Sequence, residues 1–140
     1  MSKYPETLEE GIRFILVVDD DPVERQLYSA WIKEGLGELY VTVAVENLEI
    51  AKTVLNQCYP DCILLDYRLT NGNGLEYLEY LKGHYGEMPA NVIFITGYKN
   101  EIMEQTALDA GATHFMYKQD LNADTLAKLV KKIVTRNMTG

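Results

Sequence analysis

A doubly wound α/β sandwich around a five-stranded parallel sheet is the fold that the residue pattern predicts. Three observations carry it. Five short apolar runs rich in β-branched residues are each followed by a stretch with helical spacing. The runs are nearly continuous in hydrophobicity, as strands covered on both faces of a parallel sheet are. No linker or break in composition divides the 140 residues, which are about one domain's worth of chain. Strict βα alternation leaves every crossover helix to pack on one face of the sheet or the other.

The elements follow in order. An opening segment, 1–12, reads as a short extension, and 13–19 (RFILVVD) is the first strand. Asp21-Pro22-Val23-Glu24 has the capping-box spacing with proline at the first helical position. Val23, Leu27, Ala30 and Trp31 then form the apolar stripe of the first helix. The second strand is 39–45 (LYVTVAV), and Asn47 caps a helix striped by Ile50, Ala51, Val54 and Leu55. The third is 61–66 (DCILLD), followed by the turn Asn71-Gly72-Asn73-Gly74 and a helix striped by Leu75, Leu78 and Leu81. The fourth is 91–96 (NVIFIT), followed by Ile102, Met103 and Ala107, with Gly111 where a left-handed residue ends the helix. The fifth, 113–117 (THFMY), precedes a last helix striped by Leu126, Leu129, Val130 and Ile133. The domain is expected over 13–137, with a tail at 138–140.

Composition removes several function classes. With 47% hydrophobic and 24% charged residues the chain is not a disordered one. A net charge of -8 argues against direct nucleic-acid binding through phosphate contacts. The charge is uneven: residues 1–120 carry -11, whereas 121–140 carry +3, from Asp124 against Lys128, Lys131, Lys132 and Arg136. Those bases read as a solvated face complementing the negative helix end, or as a docking surface for an acidic partner. The start MSKYPETLEE is not a signal peptide, and no apolar run approaches the roughly 20 residues that cross a membrane. Cys58 and Cys62 read as buried free thiols, so the expected location is cytoplasmic, without membrane contact. His84 and His114 read as surface or loop histidines, and Tyr77 and Tyr80 as a half-exposed helix face.

In doubly wound sheets, sites form beyond the carboxyl ends of the strands. The first strand ends in Asp19-Asp20-Asp21, the third in Asp66, the fourth in Thr96-Gly97 and the fifth in Lys118. Asp21 is accounted for as a helix cap. Asp19 and Asp20 are not: paired carboxylates at a buried strand end repel unless a cation or a proton is shared. A hard, oxygen-liganded cation such as Mg²⁺ is the economical solution. Gly97 is small enough to let another group approach Thr96. Acid, acid, hydroxyl and ammonium at neighbouring strand ends suit phosphoryl transfer, with a carboxylate nucleophile, a divalent cation, and groups to hold the phosphoryl oxygens.

The ordered segments ILVVDDDP, PDCILLDYRL, NGNGLEYL, VIFITG and FMYK resemble the receiver domain of two-component response regulators, over about residues 13–136. That resemblance implies a flavodoxin-like (βα)5 fold and a signalling switch. It makes Asp66 the phosphoacceptor, taking a phosphoryl group from a histidine kinase or a phosphotransfer protein. It makes Asp19, Asp20, Asp66 and the Arg68 carbonyl the Mg²⁺ ligands. Thr96 becomes the switch hydroxyl, Lys118 the phosphate-pairing lysine and Phe115 the switch aromatic. The surface of the fourth helix, fifth strand and fifth helix would then address a downstream protein, an output domain or a second receiver.

The sequence departs from the commonest receiver pattern in places. Thr70 and Gln119 stand where proline is usual. A cis bond before a non-proline residue costs about 2.5–4 kcal/mol, so a trans Lys118-Gln119 bond and a shifted loop are expected. Arg68 and Tyr98, each two residues beyond a site residue, are bulky enough to obstruct the hydrolytic water, and slow self-dephosphorylation is the expectation. Two rival readings remain open. One is a receiver-like interaction module that is never phosphorylated. The other is a haloacid-dehalogenase-type phosphatase with Asp19 as nucleophile, which would need Asp120 or Asp124 at a strand end and leaves Asp66 idle. Whether the chain is a stand-alone receiver or part of a longer regulator stays undecided.

Overall fold

The computed structural model describes residues 11–86, 91–97 and 100–139. Five parallel strands form the main sheet: β1 (Arg13–Val18), β2 (Tyr40–Val45), β3 (Cys62–Asp66), β6 (Asn91–Thr96) and β7 (His114–Tyr117). Their order across the sheet is β2-β1-β3-β6-β7. The order turns back at β1, where β2 lies on one side and β3 on the other, so the switch point falls between β1 and β3. Helices α1 (Pro22–Leu36), α2 (Leu48–Leu55), α3 (Gly74–Tyr85) and α4 (Glu101–Asp109) make the four crossovers, and α5 (Ala123–Thr139) follows the last strand.

Alternate residues of the central strands feed two cores. Phe14, Leu16, Val18, Ile63, Leu65, Val92 and Phe94 point to one face, where α2, α3 and α4 cover them. Ile15, Val17, Cys62, Leu64, Ile93 and Ile95 point to the other, against α1 and α5. This division is why β1, β3 and β6 read as unbroken apolar runs. The edge strands β2 and β7 are only half-buried, so full coverage on both faces holds for the middle of the sheet alone.

Several local expectations need correction. In α1 the buried residues are Tyr28 and Ile32, whereas Val23 and Leu27 are 67% and 40% exposed. Apolar residues occur on more than one face of this helix, and the inward face is the one seated on α5, where a Cβ on Gly35 would lie 2.7 Å from that of Ala127. Ile102 of α4 is likewise solvent-facing, and only Ala107 of its stripe is fully buried. Tyr77 is wholly buried rather than half-exposed, its hydroxyl donating to the Ala51 carbonyl at 3.3 Å. His114 lies within β7, and not in a loop. A small hairpin unforeseen in the sequence, β4 (Arg68–Leu69) paired antiparallel with β5 (Gly72–Asn73), fills the turn before α3.

Asn47 caps α2 as expected, and Asn73 and Asn100, not read as caps in the sequence, cap α3 and α4 in the same way through their side-chain oxygens. Gly111, with φ of 114°, turns the chain after α4. Cys58 and Cys62 are buried free thiols. Lys128, Lys131 and Lys132 are solvated on α5, with Lys128 3.0 Å from Asp124; the Arg136 side chain lies outside the described residues. Among the described residues no helix is long and apolar enough to cross a membrane.

Candidate functional site

The carboxyl ends of β1, β3, β6 and β7 converge over the switch point. Asp19 follows directly on β1 and is 1% exposed. Its amide continues the sheet by donating to the Val45 carbonyl at 3.1 Å. One carboxylate oxygen, Oδ1, accepts from the Asp21 amide at 2.9 Å, and its carbonyl accepts from Arg25 Nη1 at 2.8 Å. Asp66, the last residue of β3, is 4% exposed, and Thr96, the last of β6, is 1% exposed. Lys118 opens a short 3-10 turn, Lys118–Asp120, immediately after β7. Its Nζ lies 3.4 Å from Asp66 Oδ1 and 2.8 Å from Glu24 Oε2.

Carboxylate oxygens of Asp19, Asp20 and Asp66 all lie within 4.8 Å of one another. In addition, the Thr70 hydroxyl is 3.4 Å from Asp20 Oδ2. This crowding has the electrostatic consequence expected of like charges out of water. Burial pushes the Asp19 carboxyl up to about 8, helped by the nearby Glu24 carboxyl. Burial also pushes Asp66 up to about 6, against the opposing pull of the Lys118 ammonium.

A cation fits this set on two grounds. The donors are all carboxylate oxygens, the chemistry of hard divalent ions. Moreover, the buried Asp19 Oδ2 has no hydrogen-bond partner among the described residues, an unmade interaction that a cation would satisfy. Arg68, on β4 two residues beyond Asp66, has its side chain exposed. Tyr98 lies outside the described residues.

Phe115 stands next to the pocket on β7, its ring stacked on Phe94 at 5.6 Å and edge-on to Tyr117 at 5.2 Å. Gly97 is not demanded by crowding, since a Cβ there would be in ordinary contact with the Lys118 stem at 3.7 Å. The Lys118-Gln119 bond is trans, there being no cis peptide among the described residues.

Three participants escaped the sequence reading. Glu24 has the position of a capping-box partner, but its carboxylate turns to Lys118, leaving Asp21 to cap α1 alone through the Val23 amide at 2.9 Å. Arg25 pins the Asp19 backbone. Gly74 admits α3 against the end of β3. Only Glu24 carried a sequence signal, a carboxylate one helical turn into α1 from the acidic strand end.

A doubly wound sheet with three clustered carboxylates and a lysine over its switch point defines the class, a flavodoxin-like α/β domain with an acidic strand-end pocket. The chain belongs to the response regulator receiver domain family, whose model matches residues 15–131. It is 33% identical over 127 residues to the transcriptional regulatory protein AruR of Pseudomonas aeruginosa, covering 87% of this chain and 49% of that protein. It is 28% identical over 124 residues to the phosphate regulon transcriptional regulatory protein PhoB of Escherichia coli, covering 89% of this chain and 52% of that one. The chain thus spans about half the length of these relatives.

Among solved structures, the receiver domain of NtrX from Brucella abortus superposes with a TM-score of 0.75 at 26% identity, over 86% of this chain and 98% of that one. A CheY-like receiver domain protein from Methanospirillum hungatei shares the fold with a TM-score of 0.76 at 23% identity, over 92% and 99% of the two chains. The phosphatase alternative has no place in this fold: Asp120 lies on the 3-10 turn and Asp124 on α5, neither at a strand end.

Proposed function

We propose that this receiver domain is a phosphorylation-activated switch whose acceptor is Asp66. The observation that carries the reading is the convergence of Asp19, Asp20 and Asp66 within 4.8 Å, with the Lys118 ammonium 3.4 Å from the acceptor. An Asp66 carboxylate oxygen attacks the phosphorus of a partner's phosphohistidine. The new O–P bond forms as the N–P bond breaks, and the released imidazole takes up a proton. Asp19, Asp20, Asp66 and the Arg68 carbonyl would hold Mg²⁺, which supplies charge neutralisation between the acceptor and the phosphoryl oxygens. Lys118 pairs with a phosphoryl oxygen and holds it in the low-dielectric pocket.

Phosphorylation adds about -1.5 to -2 charges where Asp66 stood. Thr96 turns to donate its hydroxyl to a phosphoryl oxygen, and Phe115 follows into the space vacated. That movement biases the surface formed by α4, β7 and α5, and a downstream protein, an output domain or a second receiver reads it. The phosphoryl donor is a histidine kinase or a phosphotransfer protein. Arg68 and Tyr98 slow hydrolysis of the aspartyl phosphate by screening it from water. The domain itself works in the cytoplasm without contacting nucleic acid; any DNA binding belongs to other parts of a regulator.

The test is direct. The protein is incubated with Mg²⁺ and acetyl phosphate or phosphoramidate, and its intact mass is measured. One added phosphoryl group, absent in Asp66→Asn, is expected. No adduct from either donor overturns the reading in favour of an unphosphorylated interaction module. Unchanged decay of the adduct in both Arg68→Ala and Tyr98→Ala removes the screening role.

A further inference from the structure

Lys118 has two carboxylates before it and is closer to the one that is not the acceptor. Glu24 Oε2 stands 2.8 Å from Nζ, the length of a charge-assisted hydrogen bond, whereas Asp66 Oδ1 is 3.4 Å away. The two side chains of the shorter pair are 30% and 23% exposed, so water screens them only in part. The pair spans 94 residues and joins the first turn of α1 to the turn after β7.

Glu24 is free to do this because the capping box is incomplete. The Asp21 amide, which a capping-box glutamate would satisfy, already donates to Asp19 Oδ1 at 2.9 Å. The same glutamate is near enough to Asp19 to push its carboxyl up, so one side chain acts on both the acidic cluster and the lysine.

We infer that Glu24 is a positioning residue that holds Lys118 in the unphosphorylated domain and must release it when Asp66 is phosphorylated. The inference rests on the phosphoacceptor reading above and adds a partner exchange to it. An ammonium shared between Glu24 and Asp66 leans toward Glu24. A phosphoryl group on Asp66 brings oxygens that outbid a carboxylate for the same three N–H donors. Lys118 then leaves Glu24 for the phosphoryl oxygens. Glu24 thereby opposes activation: it stabilises the resting state through a contact that the activated state gives up, and such a differential contact shifts a two-state equilibrium.

The experiment uses beryllofluoride with Mg²⁺ as a non-hydrolysing phosphoryl mimic, titrated into the whole chain and followed by Lys118 ammonium and backbone NMR. Glu24→Gln is expected to bind the mimic about fivefold more tightly than the native chain, the worth of one partly exposed ion pair. In the native protein the Lys118 ammonium signal should shift on adding the mimic; in Glu24→Gln much of that shift should already be present beforehand. In a Lys118→Gln background Glu24→Gln should change the affinity little. An equal gain in both backgrounds would mean simple charge repulsion and overturn the partner exchange.

Glu24→Asp, one methylene shorter, repeats the cycle should Glu24→Gln melt early, and is expected to fall between the two. A native chain that does not take up the mimic at all sinks the phosphoacceptor reading. A native chain that binds it with Glu24→Gln unchanged sinks only the role of Glu24.

Discussion

A Cβ added to Gly74 would stand 2.7 Å from the backbone carbonyl oxygen of Asp66 and 2.8 Å from the Phe94 ring. The first turn of α3 is thus seated on the carboxyl end of β3, where the Asp66 carboxylate sits. Gly74→Ala is expected to cost about 1–3 kcal/mol through overpacking against backbone that cannot move aside. Gly83, in the same helix, has nothing within 4 Å of the corresponding position. Gly83→Ala should therefore gain about 0.5–1 kcal/mol from backbone entropy alone. Urea midpoints at constant slope compare the two, and like signs at both sites would refute the seating.

Asp61 ties the start of β3 to the start of β1. Its Oδ2 accepts from the Phe14 amide at 2.8 Å, while its own amide donates to the Phe14 carbonyl at 2.8 Å. Phe14 is fully buried, so Asp61→Ala leaves a buried N–H unpaired, at a cost of about 1–3 kcal/mol. Asp61→Asn, which keeps an acceptor oxygen, should recover most of that loss in the same denaturation assay.

The acidic pocket predicts how Mg²⁺ and pH act together on stability. The Asp19 and Asp66 carboxyls are raised to about 8 and about 6, far above an unfolded aspartate near 3.9. A carboxyl raised on folding favours the native state at low pH, and that contribution is lost as pH climbs through the folded value. Without metal, the melting temperature should fall between about pH 4 and pH 8. Millimolar Mg²⁺ should raise it, and more at pH 8 than at pH 5, because the cation requires the ionised forms. Asp19→Asn should flatten the metal-free profile. A Mg²⁺ effect independent of pH would count against these carboxylates as the ligands.

Thr96→Ala separates binding from switching. The variant should still take up beryllofluoride at Asp66, within about tenfold of the native affinity, the worth of one hydrogen bond. Chemical-shift changes at Phe115 and Tyr117 should then be lost, because nothing draws the Phe115 ring away from its stack on Phe94. Persistence of those changes would show that the ring moves without the threonine.

Much of the fold was legible in the residues because its signals are local. Continuous apolar runs locate β1, β3 and β6, Asn47 locates the start of α2, and the four strand-end residue types locate the pocket. Helix faces were less legible. In α1, the stripe Val23-Leu27-Ala30-Trp31 and the pair Tyr28-Ile32 both have helical spacing, and periodicity cannot choose between them. Tyr77 misled for a related reason: its hydroxyl suggests exposure until Ala51 appears as its acceptor.

By itself, then, the sequence determined the βα alternation and the residue types gathered at the strand ends. It also determined the family, since all of these are carried by residue type and short spacing. Only the tertiary structure decided partners. It set Glu24 rather than Asp66 closest to Lys118, left Asp19 Oδ2 without a hydrogen bond among the described residues, and chose Tyr28 and Ile32 as the inner face of α1. The physical reason is distance along the chain. Lys118 and Glu24 are 94 residues apart, and contacts between such residues depend on how two helices and four strand ends are seated, which no local spacing records.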